Sequence, residues 1–210
     1  MRILYIDTSS SYLYTSIVEN DKVLSEVKEE YGQSLSKVAL SRIASMFDDN
    51  NLSPKDIDKI IVVNGPGSFT GIRIGITIAK IYAWSLNIPI TTIYSLEAMA
   101  ISSKNNSYHV PMINARRGYV FTAIYDKEYK EILKPCHILL TELQEKLKQI
   151  NNYEFISNDE FDDLKTNKYT PDFEKIVNYF KNKKTINPHA VNPEYLKLTE
   201  AEESKLWSMN

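Results

Sequence analysis

The chain has 210 residues, enough for one or two domains, and its 43% hydrophobic and 25% charged residues are typical of a globular protein. Its net charge of −2 lacks the strongly basic signature of proteins that bind nucleic acid unaided, and its single cysteine, Cys136, excludes an internal disulfide. Asp7 interrupts the first apolar run, unlike a signal peptide, and no stretch approaches the ~18 apolar residues of a membrane span. We therefore expect a cytoplasmic protein.

Three short strands joined by tight turns are predicted at the start of the chain. Residues 2–7 form an apolar run that ends in Asp7, and residues 13–18 and 23–27 read as strands separated by a turn at 19–21. A helix is predicted over residues 34–47, and its apolar positions span about 200°, wider than the ~100° that a one-sided surface helix requires. This helix should therefore be covered on two sides.

The next strand, residues 60–63, leads through Gly65-Pro66-Gly67 into a helix for which Ser68 is the predicted N-cap. Small residues then recur every four positions, at Gly71, Gly75, Ala79 and Ala83. Glycine inside a helix costs roughly 0.5–1 kcal/mol relative to alanine, so something should pack very close to this track. Isoleucines cover most of the remaining circumference, which again predicts burial on two sides. The chain's own sheet can supply one covering, and a partner protein is a candidate for the other.

A strand at residues 88–93 completes the order β-β-β-α-β-α-β, which is half of the layout found in the actin, Hsp70 and sugar-kinase superfamily. The predicted fold class is therefore α/β, with an ASKHA-type, ribonuclease H-like N-terminal domain and a smaller, less regular α/β C-terminal domain. A polar stretch at residues 102–107 divides them into residues 1–104 and 105–210. The second half should contain strands at 109–113, 119–125, 131–140 and 153–156, a helix over 141–150 capped by Thr141, and a last helix over 172–183.

Two stretches could form a nucleotide or anion site. Asp7, Thr8 and Ser9 follow a strand end, where the equivalent hairpin holds a Mg-nucleotide in superfamily kinases, but the glycine usual in that hairpin is absent. The alternative is a turn whose side chains satisfy local amides, and we favour it. Gly65, Gly67 and Ser68 could bind an anion at the helix N-terminus, although a loop built for tight packing is the preferred reading because no lysine is nearby.

Metal and nucleophile patterns are weak. His109, His137 and His189 are far apart, and the adjacent Cys136 and His137 would point to opposite faces of a strand. The sequence around Ser68 lacks the G-x-S-x-G of a nucleophile elbow. Arg116 and Arg117, beside Tyr119, could touch RNA phosphate, but two arginines in a turn are more often solvated surface.

The motifs together resemble those of the TsaB (YeaZ) family. The resemblance is carried by ILYIDTSS at the start, NGPGSFTGIRIG in the central loop and helix, and IPITTIYSLEAMA after it. Asn114-Ala115-Arg116 and the C-terminal Pro193-Glu194-Tyr195-Leu196 are further matches. The likeness is dense over residues 1–100 and patchy afterwards.

The resemblance implies a non-catalytic subunit that supports the larger paralogue TsaD in forming N6-threonylcarbamoyladenosine at position 37 of tRNAs reading ANN codons. TsaD has a histidine pair that binds metal, whereas residues 31–35 here contain no histidine. No intrinsic cofactor or metal is expected; ATP or ADP and metal belong on the partner, with a nucleotide at the interface left open. The expected partners are TsaD, the ATPase TsaE, tRNA through the complex and, for the isolated chain, a second copy.

The resemblance places the contact on the helices around 34–47 and 69–86. The residues predicted for it are Leu35, Val38, Ala39, Ile43, Met46, Gly71, Ile72, Gly75, Ile76, Ala79 and Ala83. Gly75→Leu should then abolish partner binding and leave the fold intact, whereas unfolding would mean that the track faces the chain's own core. An autonomous enzyme, either a phosphotransferase or a peptidase, is the alternative, and an ATPase or peptidase assay would distinguish it.

Overall fold

The computed structural model describes residues 1–162 and 164–197, and all statements below refer to these residues. The strands are β1 (Arg2–Asp7), β2 (Tyr12–Glu19), β3 (Lys22–Glu30), β4 (Lys59–Val63), β5 (Ile90–Ile93), β6 (Tyr108–Asn114), β7 (Tyr119–Tyr125), β8 (Glu131–Leu139) and β9 (Tyr153–Ile156). The α-helices are α1 (Leu35–Asp49), α2 (Phe69–Ser85), α3 (Ser95–Ser102), α4 (Leu140–Leu147) and α5 (Phe173–Phe180).

The first sheet has the strand order β3-β2-β1-β4-β5 and is covered on both faces. β1, β2 and β3 pair antiparallel, whereas β4 and β5 extend the sheet in parallel from β1. Side chains alternate along β1, so that Leu4 and Ile6 pack with α1 and α2 while Ile3 and Tyr5 pack with α3 and α5. This two-sided burial explains why β1 and β4 are continuous apolar runs. The predicted α/β, actin-like fold class is confirmed.

The second sheet has the order β8-β7-β6-β9, with β9 parallel to β6 and the other pairs antiparallel. Helix α4 covers one face through Leu143 and Leu147. The predicted cap of this helix is wrong: Leu139 occupies the N-cap position without a side-chain bond, because β8 runs directly into α4. Helix α3 was not predicted, since its short apolar sequence has almost no amphipathic pattern.

The chain returns to the first sheet near its C-terminal end. Phe173 and Ile176 of α5 lie in the same core cluster as Tyr5, and the Tyr5 and Phe173 rings are 5.4 Å apart. The predicted division at residue 104 stays a prediction, and α5 shows that the later part of the chain also completes the first core. Among the described residues, no helix is both long and apolar enough to cross a membrane.

Candidate functional site

Asp7 lies at the end of β1, where it is 3% exposed and organises the turn that follows. Its Oδ1 accepts a hydrogen bond from the backbone N–H of Ser9 at 2.8 Å, and its Oδ2 lies 3.5 Å from the hydroxyl of Tyr5. Desolvation raises the pKa of the Asp7 carboxyl, although these hydrogen bonds oppose the shift. The turn therefore has the local bonding expected when an aspartate satisfies nearby amides.

The Gly65–Ser68 loop packs directly on that turn. Gly67 has φ +151°, and an added Cβ there would come well inside 3.0 Å of the Ser9 carbonyl oxygen. The backbone N–H of Ser68 donates to the same oxygen at 2.7 Å. The side chain of Ser68 accepts from the N–H of Gly71 at 3.2 Å, which confirms it as the N-cap of α2. The glycines of this loop thus allow close backbone packing.

A cleft of about 940 Å³ opens between the two sheets in front of this loop. Four of the six residues predicted for a nucleotide or anion site line it, namely Asp7, Ser9, Gly67 and Ser68. Thr8 is turned away into α2, and Gly65 is buried against the Glu194 carbonyl. On the side of the second sheet the cleft is lined by Asn114 at the end of β6 and Arg116 in the turn after it, and by Asn158, Asp159 and Lys168 after β9.

The cleft has mixed charge. Asp7, Glu30 and Asp159 contribute carboxyl groups, whereas Arg116 and Lys168 contribute cations. Hydroxyl and amide groups make up much of the remaining lining, and no histidine or cysteine is among the described lining residues. These groups can form hydrogen bonds with a polar ligand.

The glycine track of α2 contacts the chain's own strand end. The Thr8 hydroxyl donates to the Gly71 carbonyl at 2.7 Å and accepts from the Gly75 N–H at 3.0 Å. Added Cβ atoms at both glycines would collide with Thr8. The explanation expected for the track, a closely approaching partner, is therefore wrong: Thr8 fills that place, and Gly75→Leu should disrupt the fold.

The eleven residues predicted for the partner contact hold α1 and α2 together inside the first core. Ten of them are buried and Val38 is half-buried. The apolar surface of each helix is wide because one side packs on the sheet and another side packs on the other helix. The second side of each helix is therefore covered without a partner protein. That the two helices bind a partner stays a prediction, and the surface available for it is their outer, exposed faces. There the exposed fractions are 55% for Leu40, 55% for Phe69, 57% for Ile81 and 67% for Trp84.

Comparison with known proteins identifies the family. The tRNA threonylcarbamoyladenosine biosynthesis protein TsaB of Bacillus subtilis is 32% identical over 96% of this chain and 96% of its own length. The chain belongs to the TsaB family. The Escherichia coli TsaB protein is 32% identical over 61% of this chain and 56% of its own length. A family model described as "TsaD: tRNA N6-adenosine threonylcarbamoyltransferase" matches residues 22–201.

Two solved structures share the fold of this chain. YeaZ from Pseudomonas aeruginosa matches with a TM-score of 0.70 and 16% identity, covering 93% of this chain and 99% of that one. A Pseudomonas aeruginosa protein described as similar to peptidase YEAZ matches with a TM-score of 0.75 at the same identity and the same coverage. At this identity the likeness concerns the fold alone.

The C-terminal motif, residues 193–196, packs against α2. Arg73 Nε donates to the Tyr195 hydroxyl at 2.8 Å, and the Phe69 and Tyr195 rings stack at 5.3 Å. Lys80 Nζ donates to the Val191 carbonyl at 3.0 Å. These contacts of Arg73 and Lys80 with the C-terminal segment were not predicted from the sequence. The position of Arg73 and Lys80 on one face of α2 was the sequence signal that could have indicated these contacts.

The histidines of this TsaB chain lie in separate environments. His109 is fully buried with its Nδ1 2.8 Å from Glu154, His137 stacks on Tyr119, and His189 lies near Trp84. Burial raises the pKa of the Cys136 thiol, which disfavours the nucleophilic thiolate. Within the described ranges, no group of three or more His, Cys, Asp or Glu side chains is placed to hold a metal ion.

Proposed function

We propose that this chain is the non-catalytic subunit that binds and supports a TsaD-type threonylcarbamoyltransferase. The reaction would form N6-threonylcarbamoyladenosine at position 37 of tRNAs reading ANN codons, with a TsaE-type ATPase as a third component. Membership of the TsaB family and the match to the TsaD model support the assignment to this pathway. The observation that carries the subunit role is the exposed apolar surface on the outer faces of α1 and α2.

Four large side chains form that surface: Leu40, Phe69, Ile81 and Trp84, each more than half exposed. Large apolar side chains exposed on neighbouring helices are typical of protein–protein interfaces. Aromatic side chains such as Trp84 supply much of the binding free energy at such interfaces. The buried residues beneath, which hold α1 to α2, would give the surface a fixed shape.

The chemistry of the cleft favours a non-catalytic role for this chain. The Asp7 carboxyl is bonded to its own turn, and the Ser68 N–H donates to Ser9, so both groups are engaged in local packing. ATP or ADP and the metal would then reside on the TsaD-type partner. An interfacial nucleotide remains compatible with the hydroxyl groups that line the cleft.

Light scattering of this chain mixed with the TsaD-type subunit tests the proposal. We expect a 1:1 complex, and threonylcarbamoyladenosine formation in tRNA only when both proteins are present. Ile81→Glu should weaken the complex, because a carboxylate would be desolvated at the interface. Ile132→Glu is the matched control, since Ile132 on β8 is 54% exposed against 57% for Ile81.

Three outcomes would contradict the proposal. Absence of a complex under all nucleotide conditions would remove the subunit role. Equal weakening by Ile81→Glu and Ile132→Glu would move the interface away from α2. ATP or peptide hydrolysis by the isolated chain would favour the autonomous enzyme. A homodimer of the isolated chain that Ile81→Glu dissociates agrees with the proposal, because an exposed apolar face pairs with itself when its partner is absent.

A further inference from the structure

The turn between β6 and β7 holds two arginines in a backbone conformation that side chains disfavour. Arg116 has φ +66° and Arg117 has φ +54°, and Gly118 follows with φ +78°. The turn is closed by hydrogen bonds between Tyr119 and both Arg116 and Ala115, each 3.0 Å long. Asparagine or glycine would adopt these angles with less strain. Strained backbone of this kind is concentrated at functional sites, so the two side chains require an explanation.

The guanidinium groups of Arg116 and Arg117 differ from the other three in the chain. Arg2 pairs with Glu19 at 2.7 Å, Arg42 pairs with Glu29 at 2.5 Å, and Arg73 bonds to Tyr195. Within residues 1–162 and 164–197, neither Arg116 nor Arg117 makes a side-chain hydrogen bond or an ion pair, and both are exposed. Two adjacent cations are thus held in solvent without a protein partner.

An aromatic strip begins beside these cations. Tyr119 stacks on His137 with ring centroids 4.7 Å apart and an interplanar angle of 13°. Phe121, two residues along the same face of β7, lies 5.2 Å from the same imidazole and lines the cleft. Tyr119 remains 38% exposed, and its ring has no second aromatic neighbour among the described residues. The stack orients the tyrosine and leaves part of its surface open.

We propose that this turn and strip bind a single-stranded segment of RNA. The Arg116 and Arg117 guanidiniums would contact phosphates, and a base would stack on Tyr119. Proteins bind single-stranded nucleic acid by combining cations that contact its backbone with aromatic side chains on which its bases stack. Arg116 and Phe121 line the cleft whereas Arg117 and Tyr119 do not, which places the strand at the rim of the cleft. The choice of RNA rests on the proposed function, since its substrate is a tRNA.

Fluorescence anisotropy of the isolated chain tests the site directly. The probe is a fluorescein-labelled RNA hairpin with the sequence of an anticodon stem–loop, titrated at several salt concentrations. Arg116→Gln with Arg117→Gln should reduce the slope of log affinity against log salt by about 1.4, because each phosphate contact to a single strand contributes about 0.7. Tyr119→Leu should weaken binding about fivefold to a hundredfold, and Tyr119→Phe should retain it.

A double variant elsewhere controls for net charge. Lys127→Gln with Lys130→Gln removes two exposed positive charges from the turn between β7 and β8 and should leave the slope unchanged. A wild-type dissociation constant weaker than about 10⁻⁴ M, the weak end of non-specific binding, would overturn the proposal. So would equal slopes for the two double variants, or equal affinity for a fully paired RNA duplex. Failure here is distinguishable from failure of the subunit role, because the arginine variant should still form the complex seen by light scattering.

Discussion

Gly71→Ala tests whether the small residues of α2 exist to admit Thr8. A Cβ added at Gly71 would lie 2.0 Å from the Thr8 carbonyl oxygen, whereas real Cβ contacts essentially never fall below 3.0 Å. The obstructing atom belongs to the backbone of Thr8, which is fully buried directly after β1, so it cannot swing aside as a flexible side chain would. One methyl group therefore has to push α2 away from β1.

The expected cost follows from two opposing contributions. Replacing glycine by alanine within a helix stabilises it by roughly 0.5–1 kcal/mol. Overpacking a close-packed core costs typically 1–3 kcal/mol, occasionally more, and displacement of backbone by about 1 Å belongs at the upper end of this range. We therefore expect a net loss of about 2 kcal/mol in the free energy of unfolding, or about 4–8 °C in melting temperature for a chain of this size.

Urea denaturation and thermal melting monitored by circular dichroism measure this loss. Thr77→Ala is the matched control, because Thr77 is exposed on the same helix and its replacement should be neutral or slightly stabilising. An alanine variant as stable as the wild type would refute the packing explanation. Unchanged stability together with lost binding of the TsaD-type subunit would restore the original expectation that the track faces a partner.

Two further predictions concern carboxyl groups. Because burial raises the pKa of Asp7, the folded chain holds a proton that the unfolded chain releases, and stability falls as pH rises between the two pKa values. Asp7→Asn should remove this slope and stabilise the chain above that interval, as urea titrations across pH would show; an unchanged slope would contradict it. Desolvation acts to raise the pKa of Glu154, but its hydrogen bonds outweigh this effect and the pKa is lowered. Glu154 therefore stabilises the folded chain above the pKa it has in the unfolded chain, and this stabilisation is lost as pH falls through its pKa in the folded chain. Glu154→Gln should cost about 2–3 kcal/mol at neutral pH and less in acid, and a loss independent of pH would contradict this. The groups bonded to Glu154 are Ser103, Asn105, His109 and Asn167.

The first half of the fold was predictable because its signals are local. Residues 3–6 of β1 are all apolar because the sheet is covered on both faces, and the glycine-rich loop with Ser68 marks the start of α2 without reference to distant residues. Such patterns depend only on neighbours within a few positions. Four of the six residues named for a nucleotide or anion site line the cleft, because strand ends and loops of this fold meet there, and their binding of a ligand stays a prediction.

Contacts between residues far apart in the chain could not be predicted from such local patterns. The recurrence of Gly71 and Gly75 predicts that something approaches the helix, but the spacing carries no information about which atoms do so. Thr8 lies 63 and 67 residues earlier in the chain. The bond between Arg73 and Tyr195 spans 122 residues, and no periodicity within α2 indicates it. Sequence patterns specify a surface, whereas only the folded chain specifies what covers it.

The packing of Thr8 connects the cleft to the proposed partner surface. Thr8 is bonded to α2, and the next carbonyl, that of Ser9, accepts from the N–H of Ser68 at the start of the same helix. The strand end that would face a nucleotide is thereby used to hold α2. Because the outer face of this helix carries Phe69, Ile81 and Trp84, its position is set from beneath by atoms that line or adjoin the cleft. A subunit whose task is to present a fixed helical surface gains from this arrangement, since a preorganised interface loses less conformational entropy on binding.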